Sequence, residues 1–268
     1  MRKIRERYRY AIILLREIVR TDFKIRYQNS VLGYVWSLLR PLLLFVILYF
    51  VFTKFLKVGN GVPHYPVYLL LGLLFWNFFV EVTLGSVTAI VGKGDLLRKI
   101  NFPKYVILLA IVAAALINLS LTAVVVVIFM IAGHVAVSWQ ALMLIPLLLE
   151  LIVIAVTAGF FLSTAFVRYR DMSFIWEVFI QAAFYAVPIL YPLTKVPNVF
   201  AKILILNPFA QVIQDARYVL ITHSTETIST LYGGDKWIWG IPIGLLIILF
   251  ALTSTYFRRR SSAFAEEV

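Results

Sequence analysis

The chain has 268 residues, of which 62% are hydrophobic and 15% aromatic, whereas only 14% are charged. Soluble domains do not have this composition, so the sequence predicts an integral membrane protein. In such a protein a formal charge of +12 reflects topology rather than a nucleic-acid partner, and the absence of cysteine excludes disulfides, a thiol nucleophile and thiolate metal sites.

Residues 1–30 are basic and contain an amphipathic pattern. Apolar residues recur there at helical spacing, while arginines occupy the other faces. The apolar positions are Ile4, Tyr8, Ile12, Leu15 and Val19. Because each basic group near an anionic leaflet contributes about 1 kcal/mol, we expect this helix to lie in the membrane interface, in contact with lipids. A cytosolic helix packed on a partner is the alternative.

Six apolar segments follow, each close to or longer than the roughly 20 residues that a helix needs to cross a bilayer core of about 30 Å. They cover residues 38–56, 67–91, 105–132, 141–167, 174–191 and 237–257 and are called spans one to six. The predicted fold is therefore an all-α integral membrane domain with six transmembrane helices. It occupies the whole chain, 1–268, and ends in a tail at 258–268.

The distribution of basic residues predicts the orientation of the spans, because Lys and Arg are retained on the cytoplasmic side. With the N-terminus inside, all but six of the 25 Lys and Arg residues fall in cytoplasmic segments or at the cytoplasmic ends of spans. The six on the other side are Lys54, Lys57, Lys195, Lys202, Arg217 and Lys236. We therefore expect a multi-pass protein of the plasma membrane with both termini in the cytoplasm.

The segment 192–236, between spans five and six, contains an apolar stretch that is too short to cross a membrane. This stretch is flanked by Pro197 and by Asn207-Pro208, and proline interrupts helices. Beyond the break an amphipathic pattern resumes, with a polar face formed by Gln211, Gln214, Asp215 and Arg217. We predict a pair of short re-entrant helices that dip into the outer leaflet, shielded by protein or by a water-filled cavity. A plain external loop with one amphipathic helix is the alternative.

The sequence offers no recognisable catalytic or metal site. Its three histidines, His64, His134 and His223, lie far apart and lack the spacing of metal ligands. A phosphate-binding P-loop is also absent, because the nearest resemblance, around Gly92-Lys93-Gly94, lacks the first glycine and the hydroxyl residue of that motif. We therefore expect a chain that is not an enzyme and that binds no cofactor or metal itself.

Carboxylates within apolar spans cost at least about 2.5 kcal/mol each on insertion scales. For Glu81 and Glu150 we expect a hydrogen bond across a helix or subunit interface. Glu177 differs, because Gln181 and Tyr185 follow it at i+4 and i+8. These three residues share one face of the predicted helix and give span five a polar stripe.

Span one carries a second stripe, in which Phe45, Tyr49 and Phe52 share a face. Sugar rings stack on aromatic side chains, and sugar hydroxyls need hydrogen-bond partners. The two stripes are therefore suited to line a path for sugars, and simple helix packing is the alternative.

Four stretches of the sequence together resemble one family. They are "RYQNSVLGYVWSLLRPLL" at the entry to span one, "LLFWNFF" followed by "DLLRKINFPKY" in and after span two, "VRYRDM" after span four, and "ILNPFAQVIQDAR" in the external segment. In this order they are similar to the membrane subunits of type-2 ABC exporters of lipid-linked polysaccharides, the O-antigen, capsule and wall teichoic acid group. The resemblance covers nearly the whole chain.

The resemblance implies a homodimer with the pore between two copies, and two cytoplasmic ABC ATPase subunits that carry ATP and Mg²⁺. It also implies that two cytoplasmic turns contact the ATPases. The coupling residues would be Leu96, Leu97, Arg98, Lys99, Ile100 and Phe102 in the first turn and Arg168, Tyr169, Arg170 and Asp171 in the second.

The substrate implied by the resemblance is a polymer on a polyprenyl pyrophosphate lipid. As a hypothesis, Arg40, with Arg26 and Lys24 nearby, contacts its phosphates. Two other functions stay open: an ABC-type permease for drugs or small lipids, and an integral-membrane enzyme of polyprenyl-phosphate metabolism. The enzyme would require an acidic or histidine-rich constellation.

Overall fold

The computed structural model describes residues 2–27, 35–100 and 102–267. Within these residues the chain is helical, and no strand occurs. The α-helices are α1 (Arg2–Tyr27), α2 (Val35–Phe50), α3 (Tyr65–Gly92), α4 (Gly94–Lys99), α5 (Tyr105–Ala132), α6 (Leu144–Arg168), α7 (Met172–Ala186), α8 (Asn198–Ile205), α9 (Pro208–Leu220), α10 (Ile228–Leu231), α11 (Gly240–Arg260) and α12 (Phe264–Glu267). Shorter turns are the π-helix Val51–Phe55 and the 3₁₀-helices Trp139–Met143, Leu193–Lys195 and Lys236–Trp239.

Five helical stretches among the described residues are long and apolar enough to cross a membrane. They are Leu38–Phe55, Tyr65–Gly92, Tyr105–Ala132, Trp139–Arg168 and Trp237–Arg260. They correspond to predicted spans one, two, three, four and six, with ends that differ by a few residues. The prediction of an all-α membrane fold is confirmed.

Span five is shorter than predicted. The apolar helix α7 has 15 residues and ends at Ala186, whereas the sequence pattern extended this span to residue 191. The cause is Pro188, because a residue that precedes proline avoids the helical region. Val187 indeed has ψ 141°, so the chain leaves the helix one residue before the proline.

Helix α3 lies at the centre of the bundle. It packs against α5, α6, α7 and α9. In its most apolar stretch of 18 residues, 72% of the residues are buried. A helix that is apolar all round has no face suited to water, so it becomes the element around which the others pack. The outer helices, by contrast, leave large apolar side chains exposed, as expected where lipid replaces water.

The segments with most basic residues meet at one end of the bundle, which is called the basic end. Here α1, α4 and α12 enclose one apolar cluster together with the ends of α3, α6 and α11 and the start of α5. It is called the basic-end cluster. Its members are Ala11, Ala89, Ile90, Leu97, Phe102, Val106, Ile107, Leu108, Val167, Phe257 and Phe264. An ion pair of 2.8 Å between Lys93 Nζ and Asp22 Oδ1 also joins the start of α4 to α1.

Helix α1 has two apolar sides. Ala11 and Ile18 are buried against the chain itself, while Ile12 and Ile13 are exposed. An exposed apolar side beside exposed arginines is the arrangement that the predicted interfacial helix requires. Its position relative to lipid stays a prediction, and residues 28–34, which continue the segment, lie outside the described residues.

The segments predicted to be external meet at the opposite end of the bundle. His64 lies beside Gly133, and His223 Nε2 is 2.5 Å from Gln140 Oε1. The segment 192–236 forms the two predicted short helices, α8 and α9. Asn207 caps α9 by accepting a hydrogen bond from the N–H of Phe209 (3.0 Å), which explains the break that the Asn-Pro pair produces.

Candidate functional site

The turn after α3 contains a short helix with two different sides. In α4, Asp95 lies in the first turn and Arg98 and Lys99 lie in the last, the charge order that a helix dipole favours. Lys99 is followed at once by extended backbone at Ile100. The turn is thus a compact unit with its positive charge at one tip.

The residues predicted to couple this turn to a partner differ in how far they are buried. Leu97 and Phe102 are buried in the basic-end cluster, with 4% and 3% of their surface exposed. Arg98 and Lys99 are exposed, and Leu96 and Ile100 are half-buried. The surface available to a partner is therefore mainly basic, and the two buried apolar residues fix the helix to the bundle.

The second predicted contact is the turn between α6 and α7. Arg168, Tyr169, Arg170 and Asp171 are all exposed. Tyr169 is stacked against its neighbour, with the Arg168 guanidinium 5.5 Å from the ring centre. Because Val167 belongs to the basic-end cluster, the structure places this turn at the same end as α4.

The predicted polar stripe of span five lies on the surface of the single chain. Glu177, Gln181 and Tyr185 are all exposed, and they share a face of α7 as their spacing requires. The opposite side of α7 packs on the bundle: the Trp176 ring lies 6.3 Å from that of Phe79. A carboxylate on the outside of an apolar helix requires water or a partner rather than lipid.

The aromatic stripe of span one packs against the chain itself. The Phe45 ring is buried, stacked on Tyr49 at 5.8 Å and edge-on to Phe129 at 5.4 Å. Tyr49 lies 6.4 Å from Tyr65, and Phe52 is half-buried against the same core. The stripe had two interpretations, a sugar path and helix packing. In this structure Phe45 has the contacts of a packed core residue.

Arg40 lies in α2, one residue before Pro41, and its side chain is exposed. Among the described residues no hydrogen-bond partner is assigned to it, so its guanidinium is accessible to a ligand. The side chains of Lys24 and Arg26, which the sequence placed near it, lie outside the described residues.

A buried polar cluster surrounds α9. Its members are the residues predicted to form the polar face of this helix, Gln211, Gln214, Asp215 and Arg217, and all four are at least 97% buried. Because α9 packs against α3, α6 and α11 on several sides, this face is directed into protein, which is one of the two kinds of shielding predicted for the segment.

Arg217 is the most enclosed member of this cluster. Its guanidinium and Nε donate to three backbone oxygens, those of Tyr68 (3.1 Å), Pro188 (2.7 Å) and Ile189 (2.6 Å). The guanidinium carbon also lies 3.5 Å from the centre of the Tyr68 ring. Arg217 therefore ties α9 to α3 and to the bend after α7. No local sequence pattern indicated this contact, because Pro188 and Ile189 lie 29 and 28 residues before Arg217 in the chain.

Glu81, within α3, is paired as the sequence predicted. Asn118 Nδ2 of α5 donates to Glu81 Oε1 of α3 at 2.7 Å. This hydrogen bond across a helix interface offsets part of the free-energy cost of placing the Glu81 carboxylate in an apolar helix.

Comparisons with known proteins agree with this architecture. The family model described as "ABC-2 type transporter" matches residues 13–221. An O-antigen export system permease protein RfbA of Klebsiella pneumoniae is 31% identical over 226 residues, which cover 83% of this chain and 86% of that protein. A second one from the same organism is 30% identical over the same shares. The protein of that name from Myxococcus xanthus is 26% identical over 270 residues, with both chains covered completely.

The matched region includes α2 to α9 and therefore both basic turns and the polar stripe of α7. A permease is a transport component, which decides against the alternative of an enzyme acting on polyprenyl phosphates. Membership also implies a membrane context and a partner ATPase. The chain belongs to the ABC-2 type transporter family, as a membrane-spanning permease component of such a transporter.

Proposed function

We propose that this chain forms the channel of an ATP-driven exporter that moves a lipid-linked polysaccharide from the cytoplasmic side across the plasma membrane. Two copies of the chain enclose the path. Two separate ABC ATPase subunits, which bind ATP and Mg²⁺, bind at the basic end, where the excess of Lys and Arg indicates the cytoplasm.

The observation that carries this proposal is the exposed polar stripe of α7. Glu177, Gln181 and Tyr185 lie on the outside of a single chain, on a helix that is otherwise apolar. Ionisable residues in membrane helices face a bundle interior or a water-filled cavity. A second copy that faces α7 supplies such an interior, and the stripe then provides hydrogen-bonding groups for sugar hydroxyls.

The names of the relatives, which are O-antigen export permeases, support this substrate class. A polymer of that kind is assigned here to a polyprenyl pyrophosphate carrier, with wall teichoic acid and capsule as chemically related possibilities. The exposed guanidinium of Arg40 is suited to a bidentate contact with the diphosphate, since a planar guanidinium matches phosphate oxygens.

The mechanism assigns the two turns at the basic end to force transmission. ATP-driven closure of the ATPases can shift the pore between two states only if the ATPases contact those states differently. The exposed tip of α4 and the exposed turn Arg168–Asp171 provide that contact. Leu97 and Phe102 pass the displacement to the bundle, because both are packed in the basic-end cluster.

Depletion of this chain in its host tests the proposal. We expect loss of surface polysaccharide and accumulation of the lipid-linked polymer on the cytoplasmic side, measured by extraction of lipid-linked glycan from membranes. Complementation with the unchanged chain restores export. Unchanged surface polysaccharide together with altered efflux of drugs or short lipids would instead identify the small-substrate permease.

The variant Arg40→Gln tests the phosphate contact in the same complementation assay. We expect export to fall about tenfold, the effect of losing a charge-assisted hydrogen bond, while ATPase activity of the purified complex persists. Arg16→Gln is the matched control, since Arg16 is an exposed arginine of α1 away from the path. Normal export by Arg40→Gln removes Arg40 from the substrate path.

A further inference from the structure

A small recess lies at the end of the molecule opposite the basic end. It has a volume of about 290 Å³ and is formed by the 3₁₀-helix Leu193–Lys195, by α8 and by the segment that leads into α10. We propose that this recess binds one sugar unit of the exported polysaccharide, as a subsite on the exit side of the channel. This inference rests on the proposed function.

The walls of the recess carry the groups that bind sugar hydroxyls. Four polar side chains line it: Thr194, Asn198, Glu226 and Thr230. Glu226 offers a carboxylate, Asn198 an amide and Thr194 a hydroxyl group, which can accept from and donate to neighbouring sugar hydroxyls, while the Thr230 hydroxyl is engaged with Glu226. No lysine or arginine is among the lining residues.

Glu226 is held in place before any ligand arrives. The Thr230 hydroxyl donates to Glu226 Oε2 at 2.6 Å. Thr230 is itself fixed by a reciprocal cap, because its Oγ1 accepts from the N–H of Thr227 at 2.8 Å. A carboxylate that is already oriented loses little conformational freedom on binding, which favours recognition of a weak, neutral ligand.

The base of the recess is apolar. Leu193 and Ala201 line it, and both are buried, with 3% and 1% of their surface exposed. They belong to a separate apolar cluster with Ile205 and Ile228, so packed side chains support the base. The accessible walls are mainly polar, and polar walls over a small apolar base match a sugar ring, which has hydroxyl edges and C–H faces.

Size and charge decide against other ligands. A volume of about 290 Å³ lies at the lower limit of ligand pockets, about 300 Å³, which suits one ring rather than a lipid chain. The Glu226 carboxylate repels phosphate. Two lysines lie close to the lining residues in sequence. Lys195 is exposed and does not line the recess, and Lys202 has its ammonium group 5.4 Å from the centre of the Tyr232 ring.

Ligand-observed saturation-transfer NMR on the purified transporter complex tests the subsite. The probes are methyl glycosides of neutral hexoses and 6-deoxyhexoses, with inorganic phosphate as the anionic comparison. We expect binding of at least one glycoside, no binding of phosphate, and about tenfold weaker binding for Glu226→Gln, which removes one charge-assisted acceptor. Thr194→Val serves as a second variant that alters the wall while leaving the Glu226 hydrogen bond to Thr230 intact.

Lys195→Ala is the matched control, because Lys195 follows Thr194 in the same 3₁₀-helix but does not line the recess. It should bind glycosides like the unchanged protein. Export measured in complemented cells separates the two proposals. If the unchanged chain supports no polysaccharide export, the proposed function fails. If export occurs but no glycoside binds, if phosphate binds instead, or if the recess variants bind glycosides as well as Lys195→Ala does, the subsite is wrong.

Discussion

Arg217 connects three segments at the end of this permease opposite the basic end. A buried cation usually requires a carboxylate partner, because desolvation of an unpaired charge costs several kcal/mol. Here three backbone carbonyl oxygens and the face of Tyr68 take that role. Two of those carbonyls belong to the bend at Pro188 and Ile189, whose oxygens have no helical partner. The Arg217 side chain thus donates hydrogen bonds to the free carbonyl groups of the bend and holds α9 against it.

Gly72 provides a test of this arrangement. It lies in α3 against the Arg217 guanidinium, and a methyl group there would collide with Arg217 Nη2 and approach the backbone oxygen of Ile189 at 3.3 Å. We expect Gly72→Ala to destabilise the purified protein by about 1–3 kcal/mol, the range for overpacking. The measurement is the melting temperature in detergent by intrinsic tryptophan fluorescence.

Gly92→Ala is the matched control on the same helix, because no atom lies within 4 Å of an added methyl group at that position. It should be neutral or raise stability by up to about 1 kcal/mol, since alanine favours the helix. Equal melting temperatures for the two variants would show that the region around Arg217 is not tightly packed.

At the scale of the element, the two faces of α4 have different roles. Leu97 anchors the helix in the basic-end cluster, while Arg98 and Lys99 extend from it. The resemblance assigned all residues of this turn to one contact. The structure separates them by burial, so stability and coupling should respond to different substitutions.

Leu97→Ala should destabilise the protein by about 2–5 kcal/mol, as expected for a truncated core residue. The double variant Arg98→Ala/Lys99→Ala should leave the melting temperature nearly unchanged, because surface substitutions stay within about 0.5 kcal/mol, but should lower co-purification of the ATPase. Thermal melting and pull-down of the ATPase subunit measure the two effects.

A control for charge alone is Arg258→Ala/Arg259→Ala, which removes the same charge from exposed positions at the end of α11. It should retain the ATPase. If both double variants lose the ATPase equally, general basicity rather than α4 mediates the contact.

At the scale of the whole molecule, one side of the single chain carries exposed polar groups in an otherwise apolar surface. Its central helix α3 is well covered, whereas α7 leaves a carboxylate, an amide and a phenol on the outside of an apolar bundle. Buried polar groups need partners in a membrane even more than in water. The proposed association of two copies through this side would provide both the partners and an aqueous path.

The absence of cysteine makes this association easy to measure. Gln181→Cys in native membranes should react with a polar maleimide and give dimers with a bis-maleimide, because the only thiols present are the introduced ones. Ile248→Cys, on an exposed apolar position of α11, should do neither, since lipid surrounds it. Dimers from Ile248→Cys alone would place the interface on α11 and remove α7 from it.

Much of the fold could be predicted because hydropathy and proline act locally. Five of the six spans and the short helices α8 and α9 follow from apolar length and from the Asn-Pro pair. The end of α7 could not be placed by hydropathy, since residues 187–191 are as apolar as the helix. The helix ends at Ala186 because Val187 precedes Pro188, and a residue before proline avoids the helical conformation.

The candidate site was predictable only in part. The stripe of Glu177, Gln181 and Tyr185 follows from helical periodicity, and its exposure agrees with a role outside the single chain. The burial of Phe45 and Leu97 could not be deduced, because a periodic apolar face does not specify which neighbour covers it. The recess around Glu226 was missed because its walls come from segments about 30 residues apart in sequence, without a local pattern.

The sequence by itself determined that this is a helical membrane protein, which apolar segments form its long helices, which end is basic and where the polar stripe of α7 lies. These properties depend on composition and on spacing along one helix, and neither requires a distant partner. Tertiary structure alone decided that Arg217 is enclosed by three carbonyls, that Leu97 faces inward, and that Thr194 and Glu226 line one recess. Each of these depends on how helices far apart in the chain pack together, and packing is a property of pairs of surfaces that no single segment contains.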